Sequence, residues 1–210
     1  MRDKWWFPTI YMFLMTAFFS SIIIGFSQVT RARVEANEDL ALEKAILTVL
    51  PNLFDAGTKR IELHKRFVER VTGPDEKSGG AYTLKEAGQT VAYALPISGQ
   101  GFWAPIKGVI GIKADRQTIT GIAFYEQNET PGLGAQITKE AFTSQFNGKG
   151  ISSNVKPINI KRPSDVLGKS DVHAVTGATQ TSTRLEKIIN DSLKDWLSKV
   201  ARTNGGGQTK

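Results

Sequence analysis

Apolar positions dominate the start of the chain without interruption. From Trp5 to Thr30 no charged side chain breaks WWFPTIYMFLMTAFFSSIIIGFSQVT. A helix crosses the hydrocarbon core with about 20 such residues, so the pattern predicts one transmembrane anchor within residues 1–30. Trp5, Trp6 and Tyr11 lie towards one end, where amphipathic rings favour the headgroup level. Pro8 falls in the first turn, where a missing N–H does little harm. The competing reading is a cleaved secretory signal, whose apolar core is only about 7–15 residues long. Val34-Glu35-Ala36, beyond Arg31 and Arg33, is a poor cleavage site. Arg2 and Lys4 against Arg31 and Arg33 leave the orientation undecided by charge.

The period then becomes helical. Leu40, Leu42, Ala45, Ile46 and Leu50 form one apolar side ahead of Pro51, which predicts a juxtamembrane helix and linker over 31–58. A globular domain is expected over 59–200. It opens with KRIELHKRFVER (59–70), a helix whose Ile61, Leu63, Phe67 and Val68 are the expected buried side, and the loop GPDEKSGG (73–80) follows. Strands are predicted at 81–87, 91–97, 106–114 and 118–125, with ADRQ (114–117) as a hairpin tip. Val91, Tyr93 and Leu95 alternate with Ala92 and Ala94, the period of a half-buried strand. A short helix near 139–146 and a strand near 155–161 precede the clearest helix, 183–200. That helix places Leu185, Ile188, Ile189, Leu193, Trp196, Leu197 and Val200 on one face. Residues 201–210 are expected to be a disordered tail. The expected fold class is α+β: an antiparallel sheet with packed helices behind one N-terminal transmembrane helix.

Composition narrows the chemistry. The chain has no cysteine and only two histidines, His64 and His173. Thiolate-held zinc, iron–sulfur clusters and thioether haem are excluded, and a histidine-rich metal site is not expected. An electron carrier on this chain is therefore organic. The formal charge of +7 is spread along the sequence. Its densest run interleaves Glu62 and Glu69 with the cations, the pattern of a solvated face and not of a nucleic-acid surface; attraction to anionic lipid stays open.

Two stretches are unusual for their backbone chemistry. YEQNETPGLGAQ (125–136) leaves a strand through Pro131, Gly132 and Gly134. That is the composition of a type II turn, and equally of a backbone that a flat ligand approaches closely. HAVTGATQTSTRLEKI (173–188) carries five hydroxyl residues at a helix entrance. Thr183 and Glu186 have capping-box spacing. TGAT (176–179) lies upstream, where N–H groups and the helix dipole suit a phosphate. A capped helix entrance and a phosphate attachment point both stay open on these residues alone.

ETPGLG (129–134) followed by TGAT (176–179) before a final amphipathic helix resembles the FMN-binding domain of two membrane redox complexes. One is the Na⁺-translocating NADH:quinone reductase (Nqr), in its C subunit; the other is the Rnf ferredoxin:NAD⁺ oxidoreductase, in its G subunit. The similarity covers about residues 90–200. It implies FMN joined through a phosphoester to Thr179 by a dedicated flavin transferase, within a motif of Thr176, Gly177, Ala178 and Thr179. On this resemblance Glu129, Thr130, Pro131, Gly132, Leu133 and Gly134 are expected beside the flavin, with Trp103 either packing on the ring or serving as a core aromatic. The implied role is an electron relay in an ion-translocating oxidoreductase complex of several subunits, with the domain on the extracytoplasmic (periplasmic) side of the inner membrane. Members of that family usually carry an aspartate three residues before the motif, where this chain has His173, with Asp171 two positions earlier. No G-x-G-x-x-G follows a strand, so NADH oxidation by the chain itself is not expected, and no catalytic or metal-binding residue is assigned. A flavin sensor, an extracytoplasmic electron donor and a non-redox scaffold are the alternative readings.

Overall fold

The computed structural model describes residues 5–55, 57–153 and 155–205. Residues 1–4 of the expected anchor and 206–210 of the expected tail lie outside the described residues. Contacts divide the chain into two compact units, Met1–Asp39 and Leu40–Lys210. Helix α1 runs Phe7–Val49, so the anchor and juxtamembrane helices expected separately are one element. The stretch between Phe26 and Leu50 contains no glycine or proline, and Arg31 pairs with Glu35 one turn on at 2.8 Å. The helix ends two residues before Pro51, whose ring disfavours helical backbone in the residue preceding it.

Within the first unit the apolar side chains from Ile10 to Phe26 are exposed, and the helix is long and apolar enough to cross a membrane. Ser21 Oγ donates to the Ala17 carbonyl at 2.7 Å and Thr30 Oγ1 to the Phe26 carbonyl at 2.9 Å. Those hydroxyls are thus satisfied within the helix, as an apolar surrounding requires.

The second unit is the α+β domain. It begins at Leu40, not at 59, because the last turns of α1 bury Ala45, Ile46, Leu47 and Val49 in its core. A five-stranded antiparallel sheet has the order β1 (Val71–Thr72), β2 (Tyr82–Glu86), β3 (Gln89–Gln100), β4 (Pro105–Lys113), β5 (Ile119–Glu126). The other helices are α2 (Arg60–Arg70), α3 (Glu140–Thr143) and α4 (Thr179–Gly205). A separate parallel pair joins β6 (Asn159–Lys161) to β7 (Asp171–His173).

The sheet is covered on both faces, unlike the half-buried sheet expected from β3. Side chains alternate across a strand. Tyr93, Leu95, Ile97, Ile110 and Ile112 therefore share one core with Leu185, Ile189, Leu193 and Trp196 of α4. Ala92, Ala94 and Val109 share the other with the end of α1 and Leu63 of α2. The alanines of β3 are buried because helices cover their side too. Each fully buried large apolar side chain contributes about 1.5–3 kcal/mol. Trp196 also donates Nε1–H to the Ser78 carbonyl at 2.8 Å, fixing the 73–80 loop to α4.

On α2 only part of the expected buried side is buried. Leu63 and Phe67 face the core, whereas Ile61 and Val68, two turns apart, share the opposite, exposed side. Helix α4 starts earlier and ends later than expected, continuing through Gly205 into the predicted tail. The strand expected over 155–161 shortens to β6.

Candidate functional site

The two unusual stretches meet. A cavity of about 210 Å³ is lined by residues from three segments: Phe102 of the β3–β4 connection, Glu129, Thr130, Leu133 and Gly134 after β5, and Gly177 to Thr181 at the entrance to α4.

The loop after β5 turns at its glycines. Leu133 N–H donates to the Thr130 carbonyl at 3.1 Å, and Gly132 holds φ at +78°. Pro131 pre-sets the preceding position, which gives the type II pattern with glycine where φ is positive. The turn projects Leu133 outwards, with 43% of its surface exposed, beside Gly177.

Glu129 ties the three segments together. Its carboxylate is buried, with Oε1 accepting from Phe102 N–H at 2.8 Å and Trp103 N–H at 3.2 Å. Oε2 accepts from Thr181 Oγ1 at 2.6 Å. A Cβ added at Gly101 or Gly134 would lie 2.5 Å or 2.8 Å from these oxygens, so both positions need glycine for space. Glu129 is therefore consumed within the protein and shapes the cavity wall.

The α4 entrance differs from the capping box expected at Thr183. The helix begins at Thr179, after Gly177 turns the chain with φ at +76°. Ser182 N–H makes the first helical bond, to the Ala178 carbonyl at 2.9 Å. Glu186 instead accepts from Ile160 N–H at 2.7 Å and pairs with Lys156 at 2.6 Å. Among the described residues no acceptor takes the N–H groups of Thr179, Gln180 and Thr181, the orphan donors of a first turn. The Thr179 side chain is exposed beside them.

Trp103 is not a core aromatic: 65% of its surface is exposed. It stands outside the cavity lining, packs edge-on against Phe102 with ring centroids 4.8 Å apart, and donates Nε1–H to Thr130 Oγ1 at 3.1 Å. Thr176, Pro131 and Gly132 are exposed and also lie outside the lining. Phe102, Gln180 and Thr181 line the cavity without having been expected there. Phe102 adjoins Trp103 in sequence, and Thr181 belongs to the hydroxyl cluster, so each had a signal nearby.

Upstream, Asp171 is committed to the β6–β7 pair. Its carboxylate accepts from Lys161 Nζ at 2.7 Å, Gly168 N–H at 2.7 Å and Asn159 Nδ2 at 3.0 Å. The Lys161 bond above all, with the Gly168 and Asn159 donors, holds its carboxyl below the usual carboxylate range against the opposing effect of burial. His173 N–H donates to Gln145 Oε1 at 2.8 Å, and the ring Nε2 lies 3.0 Å from the Asp165 carbonyl. Neither residue offers a free carboxylate next to TGAT.

Comparison with known proteins finds similarity across the segment that holds the site. Residues 101–194 match the FMN-binding domain family. The chain is 33% identical over 119 residues to the C subunit of the Na(+)-translocating NADH-quinone reductase of Pasteurella multocida, covering 55% of this chain and 44% of that protein. To the corresponding protein of Chlamydia pneumoniae it is 46% identical over 80 residues, covering 38% and 25%. The matches thus span less than half the length of these two relatives. In fold, the chain is similar to the crystal structure of the same reductase's C subunit from Parabacteroides distasonis, with a TM-score of 0.68 at 24% identity over 81% of this chain and 96% of that one. Shewanella oneidensis NqrC gives a TM-score of 0.69 at 18% identity over 81% and 99%.

The cavity is too small to enclose a flavin. Pockets that bury most of a drug-sized ligand are about 300–1,000 Å³, and 210 Å³ is smaller. Unused N–H donors and an exposed hydroxyl stand at one side, which fits a phosphate. The apolar surfaces of Leu133 and Phe102 stand at the other, which fits a flat ring.

Proposed function

We propose that the chain is a membrane-anchored electron-transfer subunit of an Nqr- or Rnf-type ion-translocating oxidoreductase complex, carrying FMN esterified to Thr179. The observation that carries the reading is the placement of an exposed Thr179 hydroxyl, at a helix entrance with free N–H groups, across a small cavity from the 129–134 turn. The match to the FMN-binding domain family supports it.

In this reading the ester forms between Thr179 Oγ and the FMN phosphate, with the elements of water lost overall, under a flavin transferase. The N–H groups of Thr179, Gln180 and Thr181 and the helix dipole offset the phosphate's charge. Leu133 and Phe102 pack on the ring and keep water from one face, and Trp103 holds Thr130 at the rim. Bound FMN supplies reversible electron transfer; the protein supplies position and electrostatics. Attachment prevents loss of a carrier from a site too shallow to enclose it. The α1 helix holds the domain at the membrane, on the extracytoplasmic side, and the other subunits of the complex donate and accept the electrons.

Expression with a flavin transferase tests the reading. Wild-type protein should show flavin fluorescence in a denaturing gel, and Thr179→Ala should fold with unchanged circular dichroism and show none. Fluorescence that persists in Thr179→Ala would exclude this attachment site, and a colourless wild type would favour a non-redox scaffold.

A further inference from the structure

We infer that Arg184 is a potential-setting cation at the rim of the cavity, an inference that rests on the flavin reading above. Its guanidinium carbon stands 5.9 Å from the centroid of the Phe102 ring, and Phe102 lines the cavity. Gln180, one turn earlier on the same side of α4, lines it as well. Helical side chains lean towards the helix N-terminus, which directs Arg184 along α4 towards the cavity and Thr179.

Its charge is not cancelled locally. Among the described residues no carboxylate lies within 4.0 Å of the guanidinium. The one carboxylate in the lining, Glu129, already accepts from Phe102, Trp103 and Thr181. A guanidinium keeps its proton across the working pH range.

Two-electron reduction of a flavin ring by dithionite adds two negative charges, and uptake of one proton from water leaves the reduced ring with a net charge of one minus. A fixed cation beside the ring favours the more negative, reduced form, so Arg184 raises the midpoint potential relative to a neutral residue. Because Arg184 is exposed, salt screens the effect.

The test uses full-length protein, Arg184→Gln and Arg184→Lys, each expressed with a flavin transferase, purified in detergent and weighed intact before its midpoint potential is measured. Arg184→Gln should have a more negative potential than wild type, and Arg184→Lys should stay near wild type. The gap between wild type and Arg184→Gln should narrow at high salt. A potential in Arg184→Gln equal to or above that of wild type would overturn the inference while leaving the flavin reading standing. So would equal shifts in both variants, which would mean lost packing on Phe102 and not lost charge. A wild type that gains no FMN mass would remove the flavin reading and this inference together.

Discussion

Glu129→Ala deletes three hydrogen bonds at once, two from backbone N–H groups of the β3–β4 connection and one from Thr181 in α4. Hydrogen bonds to a charged group contribute about 1.5–3 kcal/mol each. The full sum is not expected: the two N–H bonds are only partly buried, and deleting the side chain also removes the penalty for burying a carboxylate. A net loss of about 2–4 kcal/mol follows from these opposing effects. In a domain of this size that corresponds to a Tm lower by roughly 5–15 °C. Glu129→Gln should cost only about 1 kcal/mol, because its carbonyl oxygen still accepts from the two N–H groups while its amide donates to Thr181, whose hydroxyl rotates to accept. Thermal denaturation of both variants without flavin, followed by circular dichroism, separates the cases. Stability of Glu129→Ala within about 0.5 kcal/mol of wild type, the range of an ordinary surface change, would refute a carboxylate that joins the three segments.

Asp171→Asn should lower stability at neutral pH and flatten its acid limb. The folded-state pKa of Asp171 is depressed, so its contribution is present above the unfolded pKa of about 3.9 and is lost as pH falls through the lower folded value; Tm measured from pH 7 down to pH 2 checks this. On the resemblance drawn from the sequence, His173→Asp should speed flavin attachment, because it introduces a carboxylate three residues before TGAT. A time course of in-gel fluorescence with limiting transferase reads the rate, and equal rates would leave position 173 outside the transferase's recognition. Gly177→Ala should destabilise the domain by more than about 1 kcal/mol, since φ of +76° is strained for alanine and its Cβ would meet Leu133 at 3.1 Å; denaturant midpoints give the value.

Much of the sheet was legible because its strands alternate strongly: Tyr93, Leu95 and Ile97 point one way, and their partners in β4 do the same. The pattern did not show that Ala92 and Ala94 are also covered, since alanine fits either a core or a surface. It misplaced the buried side of α2 because Ile61 and Val68 are apolar yet lie opposite Leu63. Strands β6 and β7 are too short to carry a period. At the site, the two motifs were visible as composition, but their meeting depends on Glu129 reaching Thr181 across 52 positions in sequence. Thr183-x-x-Glu186 looked like a cap because the spacing fits; Gly177 and Ala178 start the helix one turn earlier, and Glu186 finds Ile160 instead. Phe102 and Arg184 belong to the site only through tertiary contact, which local pattern does not encode.

Attachment of FMN at Thr179 is the central claim, and peptide-level mass spectrometry addresses it most directly. Full-length protein expressed with a flavin transferase, digested and fragmented, should yield a peptide containing residues 176–179 that is heavier by one FMN less one water, with fragment ions placing the addition on Thr179. The same peptide recovered unmodified, or an addition mapped to another hydroxyl, would contradict the account.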